Sequence, residues 1–363
     1  MNMNEVIANR ALELGGHPKG DYGFIHPNDD VNHSQSTNDT YPAACKLALI
    51  DAIGPLAEET KKLTRAFHDL ADKHTNDVTI GRTQLQDAVP MTYGQEFHAF
   101  ASFLKSDLLA LEHVVPQLTT LNLGATAIGT TVTCHPEYPA KAVKRLAELT
   151  GIPFVNSDDL IAATSDCGAY VALSSACKSL AVKLTKVCND LRLLASGPRT
   201  GLGEIVLPQL QPGSSIMPGK VNPVIPEVTN QAAFLAIGLD TSVMLAASAG
   251  QLELNVMEPV ISFALYMQMK VLTNSCNALR EKCIDGIVVN AKHCEDLVMG
   301  SLGIITVLKP HFGYKPCANI AREGFLTGKS LHELIVDEKK MLTQEQWDKV
   351  FTHDNLINPK FEQ

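Results

Sequence analysis

The chain has 363 residues, with 30 Lys plus Arg against 39 Asp plus Glu, which gives a formal net charge of −9. Hydrophobic residues make up 45% and charged residues 19%, a mixture typical of a globular protein that buries a sizeable core. The acidic balance argues against a nucleic-acid or anionic-membrane surface, and no basic region followed by an apolar run opens the chain. We therefore expect a soluble, cytoplasmic protein with neither a nucleic-acid nor a membrane partner.

Most of the chain shows the apolar spacing of long helices. It opens in a helical pattern, without the polar lead-in with which a domain usually begins. Runs of alternating, β-branched residues are nearly absent, so we predict an all-α protein built around a long central helical bundle. The helical runs cover residues 1–11, 55–72, 97–118, 180–194 and 265–283.

The helices that begin near Phe97 and Asp166 have the widest apolar faces of these runs. A helix that is apolar over most of its circumference is usually buried on several sides. These two helices are therefore predicted to lie at the centre of the bundle, which subunits share if the protein is an oligomer.

The helical pattern shortens after about residue 290. Gly328 is placed to end one helix, and the capping-box spacings Ser330–Glu333 and Thr343–Gln346 are typical of the start of two more. We predict a central bundle domain over residues 36–290 and a small C-terminal helical domain over residues 291–363.

The nine cysteines are scattered, and none forms a CxxC pair. Several occupy apolar helical positions, which favours reduced thiols in the core of an intracellular protein. Histidine and cysteine do not cluster at metal-ligand spacing, and HExxH and GxGxxG are absent from the sequence. The sequence therefore predicts neither a metal nor a cofactor.

Three irregular stretches interrupt the helices, at residues 12–35, 76–95 and 197–226. Long loops inside a compact domain are uncommon and tend to be functional. The first stretch leads into Ser36, Thr37 and Asn38, which are more polar side chains than one helix cap needs, and a hydroxyl-rich helix N-terminus suits a carboxylate. Simple capping is the alternative.

The second stretch contains GRTQLQDAVP at residues 81–90. Thr83 and Gln84 are neutral hydrogen-bonding side chains on an exposed turn. Arg82 and Asp87 can pair with each other, which would make their role structural.

The third stretch contains GSSIMPGKVNP at residues 213–223. It is not a phosphate-binding P-loop, because five residues separate Gly213 from Gly219 and a valine follows the lysine. Glycines at both ends allow the segment to move and its N–H groups to approach a ligand. Ser214 is a candidate nucleophile or base, Lys220 a carboxylate clamp and Asn222 an orienting amide; an ordinary surface loop is the alternative.

These three loops, in this order on a helical scaffold, resemble those of the fumarase/aspartase superfamily, and GSSIMPGKVNP is nearly its signature. The resemblance covers essentially the whole chain. Gln84 stands where fumarases usually have histidine, which favours the aspartase branch. Further aspartase-like stretches are ATSDCGAYV at 163–171, LPQLQ at 207–211 and LTN at 272–274.

The resemblance implies an ammonia-lyase that eliminates ammonia from L-aspartate to give fumarate, with Ser214 as the base and an aci-carboxylate intermediate. It also implies a homotetramer in which three subunits build each site. The implied binding residues are Lys220 and Asn222 for the α-carboxylate, Ser36, Thr37 and Ser215 for the β-carboxylate, Asn38 and Thr83 for the amino group, and Gln84 against the substrate with Glu227 behind it.

In the superfamily, a large N-terminal domain ends in a Ser/Thr-rich segment just before the residues that Met1 begins here. The resemblance therefore implies that residues 1–35 are a remnant of that domain, and that residues 1–363 alone have little activity and poor solubility. Two alternatives remain open. One is a fumarase or another lyase of succinyl compounds, and the other is a truncated subunit that assembles without catalysing.

Overall fold

The structure, a computed structural model, describes residues 1–357. Helices dominate it, which confirms the all-α class predicted from the sequence. The helices are α1 (Asn2–Leu14), α2 (Thr37–Lys73), α3 (Tyr93–Leu118), α4 (Tyr138–Thr150), α5 (Leu160–Ser165), α6 (Gly168–Leu194), α7 (Val224–Ser248), α8 (Glu258–Lys282), α9 (Ala291–Gly300), α10 (Lys309–Phe312), α11 (Tyr314–Thr327), α12 (Gln344–Val350) and α13 (His353–Ile357). Two π-helical turns span Pro27–Asn32 and Glu333–Glu338, and two 3-10 segments span Ile284–Gly286 and Leu302–Leu308.

Six short strands form three two-stranded sheets in the described part of the chain. The strands β1 and β2 form an antiparallel hairpin, β3 and β4 pair in parallel, and β5 and β6 pair antiparallel. Their bounds are β1 (Val78–Thr83), β2 (Gln86–Thr92), β3 (Thr120–Leu121), β4 (Val155–Asn156), β5 (Ile205–Val206) and β6 (Val288–Val289).

The hairpin corrects the prediction of an irregular loop over residues 76–95. It is short, and its register shifts between Ile80 and Arg82, so the strands carry no clean alternation that the sequence could reveal. The apolar side chains of Val78 and Ile80 are nevertheless buried.

The predicted helix over residues 55–72 is the second half of α2, which starts at Thr37 and continues through Pro42 and Pro55. Proline inside a helix leaves the carbonyl four residues earlier without its usual donor. For Pro42 this is the carbonyl of Asn38, and it accepts a hydrogen bond from Asn122 Nδ2 at 3.0 Å instead. Pro55 was therefore a misleading signal for the start of the helix, which begins at Thr37.

Helix α7 was not predicted, because its first residues fall within the irregular stretch predicted over residues 197–226. In the structure that loop ends at Pro223, and α7 begins at Val224. It is the most apolar of the long helices, and several of its large side chains are exposed in the single chain. These are Val228, Phe234, Leu235, Met244 and Leu245. Phe97, Phe100 and Leu104 of α3 are fully buried, as predicted for that helix, and the exposed apolar side chains of α7 are a further surface that the sequence did not single out.

By length and composition alone, α7 is the one described helix that could cross a membrane. Its Asp240 is mostly buried and bonds to other helical residues of its own compact unit. Ser174 Oγ donates to Asp240 at 2.7 Å, and Lys178 Nζ lies 2.6 Å from the same carboxylate. These contacts are those of a helix packed within protein.

The chain divides into two compact units, and each long helix contributes to both. The first unit comprises Met1–Glu58, Asp107–Val182 and Ala232–Asn274, and the second comprises Glu59–Ser106, Lys183–Gln231 and the described residues from Ser275 onwards. The domain boundaries drawn from the sequence remain predictions.

In the first unit, Ala43, Leu121, Val143 and Phe154 form a small core cluster. In the second unit, a larger cluster joins the hairpin residues Val78 and Ile80 to the C-terminal helices. The predicted end signals there are confirmed. Gly328 ends α11 in the left-handed conformation, and the capping boxes at Ser330–Glu333 and Thr343–Gln346 both form.

Candidate active site

The first candidate segment lies at the N-terminus of α2, in the first unit. Ser36 precedes the helix, and its Oγ accepts a hydrogen bond from Asn38 N at 3.1 Å, so it does cap the helix. Thr37 is exposed, whereas Asn38 is half-buried and donates from Nδ2 to the Ala127 carbonyl at 2.7 Å. The segment therefore contains one capping side chain together with two side chains that lie beyond what the cap requires.

Asp39 holds this helix start in place, and sequence reasoning did not single it out. Its carboxylate is fully buried and accepts hydrogen bonds from the amides of Gly124 at 3.0 Å and Thr126 at 3.1 Å. Burial raises the pKa of Asp39, while these amides act in the opposite direction. Gly124 has a φ of +87°, and a Cβ there would lie 2.8 Å from Pro139, so the loop admits only glycine at this position.

The second candidate segment is the hairpin turn of the second unit. Thr83 pairs with Gln86, and Gln84 and Leu85 form the turn with φ values of 55° and 61°. Such a turn normally takes asparagine and glycine, so two bulkier residues here are strained. Thr83 and Gln84 are both exposed on this tip, free to contact a ligand.

A buried ion pair fixes the base of the hairpin. Arg82 Nη2 lies 2.5 Å from Glu204 Oε1, and Glu204 is fully buried. The other carboxylate oxygen accepts from Thr79 Oγ1 and from Tyr93 OH, both at 2.8 Å. The Arg82 guanidinium therefore forms no ion pair with the Asp87 carboxylate, although the two residues face each other in the hairpin register, and Asp87 instead accepts a hydrogen bond from Ser301 Oγ at 2.8 Å. The suggested Arg82–Asp87 pair was wrong.

Burial, followed by the nearby charge of Glu204, raises the pKa of Tyr93. The phenol therefore stays protonated and keeps donating to Glu204. The sequence held no signal for this network beyond the presence of a glutamate in a glycine-rich loop.

The third candidate segment is the loop that contains Ser214. Its ends are in close contact, because a Cβ on Gly213 would clash with the Lys220 carbonyl and Asn222 Nδ2 donates to the Gly213 carbonyl at 3.2 Å. Gly219 allows the reversal with a φ of +81°. Glycine at the first position is thus a packing requirement, and the loop forms a closed turn that presents Ser215 and Lys220 to solvent.

Ser214 is half-buried inside this turn. Its Oγ accepts hydrogen bonds from the backbone N–H groups of Ile216 at 3.1 Å and Met217 at 3.0 Å. Ile216 and Met217 themselves expose most or half of their apolar side chains. Two backbone N–H groups of its own loop therefore point at the oxygen, and the side chains of the residues that carry them are apolar and exposed.

The structure brings some predicted site residues together and leaves others apart. Ser36, Thr37 and Asn38 are adjacent on α2, and Ser214, Ser215, Lys220 and Asn222 share one turn, with Glu227 half-buried in the first turn of α7. In the second unit, no hydrogen bond among the described residues joins the hairpin tip to the serine loop. Each segment is held by its own anchor.

Comparisons with known proteins place this arrangement in a family. Residues 1–238 match the family described as Lyase, and residues 304–358 match the Fumarase C C-terminus family. The aspartate ammonia-lyase of Helicobacter pylori is 52% identical over 359 residues, covering 99% of this chain and 76% of that protein. The Escherichia coli K12 aspartate ammonia-lyase is 51% identical over 361 residues, with 99% and 75% covered.

Solved structures agree with these matches. The Brucella melitensis fumarate lyase:delta crystallin bound to cobalt has a TM-score of 0.94 at 46% identity, covering 98% of this chain and 76% of that one. A class II fumarase from Schistosoma mansoni has a TM-score of 0.92 at 32% identity, covering 99% and 78%. The chain therefore belongs to the fumarase/aspartase superfamily of lyases. Within that superfamily it falls among the aspartate ammonia-lyases, which are carbon–nitrogen lyases.

The anchoring role of Glu204 gives a first prediction. Glu204→Gln should lower the free energy of unfolding by about 3 kcal/mol, because it leaves the mostly buried Arg82 guanidinium without its counter-charge. Urea unfolding at a fixed protein concentration measures the change. Pairing the variant with Arg82→Met should cost less than the sum of the two single changes. A loss below about 1 kcal/mol, as for an exposed ion pair, would contradict the anchor.

Proposed function

We propose that this chain eliminates ammonia from L-aspartate to give fumarate, with Ser214 as the base that removes the Cβ proton. One observation carries the assignment of the base: Ser214 Oγ already accepts hydrogen bonds from two backbone amides. A serine hydroxyl is a weak base unless its alkoxide is stabilised, and fixed N–H dipoles in a closed site provide that stabilisation.

The reaction proceeds in two steps in this proposal. Ser214 Oγ takes the proton from Cβ, and the electron pair of the C–H bond moves into the β-carboxylate, which becomes an aci-carboxylate dianion. The electron pair then forms the Cα–Cβ double bond as the Cα–N bond breaks and ammonia leaves. The barrier is dominated by the second negative charge on one carboxylate, so donors must meet that charge as it grows.

The helix start at Ser36 and Thr37, together with Ser215, supplies such donors to the β-carboxylate. A helix N-terminus combines N–H groups with a favourable dipole for negative charge. The arrangement is neutral, so it stabilises charge where it develops without a competing counter-ion. Its position is set by Asp39, whose buried carboxylate ties the helix start to Gly124 and Thr126.

The α-carboxylate is assigned to Lys220 and Asn222. Asn222 is held to the Gly213 carbonyl, and Lys220 N donates to Met217 O at 3.2 Å, so both residues move together with Ser214 as parts of one turn. Closure of this turn on the substrate would bring the base and the clamp into place at the same moment and would exclude water.

We further propose that the working form is a homotetramer in which different subunits contribute different segments to each site. The exposed apolar side chains of α7 support a shared helical core, because a soluble chain rarely leaves so many large apolar side chains on one helix without a partner. The separate anchoring of the three candidate segments is consistent with sites completed by assembly.

A sister activity is the competing function. The fumarase neighbour has 32% identity, against 51–52% for the aspartate ammonia-lyases, which favours aspartate as the substrate. Assays of purified protein with L-aspartate and with L-malate, following fumarate absorbance, test the proposal directly. Turnover of malate in preference to aspartate would overturn it.

The base assignment gives the second prediction. Ser214→Ala should reduce kcat by on the order of 1000-fold while aspartate still binds, because the proton transfer occurs only in the transition state. Exchange of Cβ hydrogen with deuterated solvent, read by NMR, should be lost with it. Ser215→Ala, which removes one donor to the β-carboxylate and keeps the base, should slow the exchange without abolishing it. Exchange that persists in Ser214→Ala would assign the base to another group.

The clamp assignment gives the third prediction. Lys220→Ala should lower kcat/KM by on the order of 100-fold and raise KM for aspartate, because a charge on the α-carboxylate acts in both the ground state and the transition state. Steady-state kinetics over a range of aspartate concentrations separates the two constants. A KM equal to that of the unmodified enzyme would rule out the clamp.

The assembly proposal gives the fourth prediction. Light scattering should report a particle of four chains, each of 39.2 kDa. Leu235→Glu should dissociate it and abolish turnover, because a charge cannot be buried unpaired in an apolar interface. Leu149→Glu, at an exposed position on α4, is the control and should leave the tetramer intact. An active 39.2 kDa monomer would refute the shared core.

A further inference from the structure

A cavity of about 220 Å³ adjoins the start of α2 in the first unit. It lies between the first turns of α2 and α8 and the loop that joins α7 to α8. Its lining residues are Thr37, Asn38, Tyr41, Leu254, Asn255, Val256, Glu258 and Pro259. Two of these, Thr37 and Asn38, belong to the candidate substrate-binding set, so the cavity is continuous with that part of the proposed site.

Glu258 is the one carboxylate in this lining. It is half-buried. Within residues 1–357 its carboxylate takes part in no hydrogen bond or ion pair, and Lys46 acts on it only through its charge. A partly buried carboxylate usually has a donor or a cation against it. The side chain therefore presents an unused negative charge to the cavity.

The loop that carries Glu258 is fixed by Asn255. The buried amide Nδ2 of Asn255 donates to the carbonyls of Ala246 and Ala247 at 3.0 and 3.1 Å, and its Oδ1 accepts from Met257 N at 2.9 Å. The backbone that leads into Glu258, the first residue of α8, is thus rigidly supported. This is the kind of geometry that a binding residue requires.

Asn38 faces the same cavity with an acceptor. Its Nδ2 is engaged by the Ala127 carbonyl at 2.7 Å, which leaves Oδ1 for a ligand. The cavity therefore offers an amide oxygen and a carboxylate, which suit a positively charged donor. Of the groups on aspartate, only the α-ammonium is a cation with several N–H donors; both carboxylates would be repelled.

We propose that Glu258 binds the ammonium group of aspartate opposite Asn38, and that it stabilises the same group as it forms when ammonia adds to fumarate in the reverse reaction. This inference rests on the proposed function. Glu258 would set the preference for a substrate with an amino group over one with a hydroxyl group at the same carbon. A full charge on the protein favours an ammonium over the neutral hydroxyl of malate, because the charge-assisted hydrogen bond is roughly twice as strong as a neutral one.

The protonation of Glu258 adds a pH dependence. Burial raises the pKa of Glu258 to about 7, with Lys46 opposing the shift. The ionised form, which binds the cation, therefore predominates only above about pH 7, so ammonium binding should strengthen as the pH rises through that value. The charged and titratable groups whose charges interact with Glu258 are Tyr41, Cys45 and Lys46 on α2, Cys167 just before α6, and Tyr170 on α6.

The reverse reaction tests this assignment, because it separates the ammonium from the carboxylates. In the amination of fumarate, Glu258→Gln should raise KM for ammonium about tenfold, the factor that corresponds to 1.4 kcal/mol, and leave KM for fumarate unchanged. Glu258→Asp keeps the charge and should lie between Glu258→Gln and the unmodified enzyme. Glu253→Gln removes an exposed carboxylate of the same loop that does not line the cavity, and should change neither constant.

The unmodified enzyme provides a second measurement that does not depend on a variant folding. Its KM for L-aspartate should fall as the pH rises from about 6 to about 8, a range in which the α-ammonium group of aspartate stays protonated. An unchanged ammonium KM in Glu258→Gln, or an equal rise in both constants, would overturn the assignment. If the unmodified protein instead forms no fumarate from aspartate, the proposed function fails first, and this outcome is distinct from a failure of the Glu258 variant alone.

Discussion

The second unit depends on one buried charge. Glu204 is removed from solvent, and it is tolerated there because Thr79 and Tyr93 donate hydrogen bonds to its carboxylate and Arg82 supplies the counter-charge. Arg82 and Thr79 lie on the hairpin and Tyr93 directly follows it, so the contacts that stabilise the buried charge also hold the hairpin in position. Burying such a group in an incomplete environment costs several kcal/mol, so the alternatives to this geometry are strongly disfavoured. The strained tip at Gln84 and Leu85 persists because its base is over-determined in this way.

In the first unit, Asp39 is a second buried carboxylate that holds a candidate segment in position. Its buried carboxylate is met by amides of the loop after β3, and the helix start that carries Ser36, Thr37 and Asn38 is thereby fixed. In both units a buried acidic side chain supports residues that contact the ligand in the proposed mechanism. The exposed and half-buried residues are the chemically suggestive ones, whereas the fully buried residues determine where those lie. Because precise placement is what raises the rate of a positioned reaction, mutation of either anchor should matter as much as mutation of its neighbours.

Sequence reasoning predicted the parts of this molecule that follow from local pattern. Helical periodicity identified the buried faces of α3, α6 and α8, and fixed offsets identified the capping boxes, because these are short-range properties. It missed the hairpin, whose register shift spoils alternation, and it missed α7, whose start lies against a proline-rich loop. It also paired Arg82 with the wrong acid. Asp87 is near in sequence, whereas Glu204 reaches Arg82 only through the fold, and no local pattern contains such a partner. The motif loops themselves were identified by resemblance, which carries information that periodicity lacks.

The charge distribution explains how an acidic protein can act on an acidic substrate in the proposed reaction. A net charge of −9 would repel a dicarboxylate at long range, but salt screens that field within about 10 Å. Inside the site the balance is local. In the proposed site, neutral amides and hydroxyls face the β-carboxylate of the substrate, on which charge develops. Lys220 faces the α-carboxylate, whose charge does not change, and Glu258 faces the positively charged ammonium group. This ordering has a kinetic reason. A cation beside the β-carboxylate would bind the ground state tightly as well as the transition state, whereas oriented dipoles gain most when the second charge appears. The same division of charge would make the ammonium end selective without slowing proton removal at the other end.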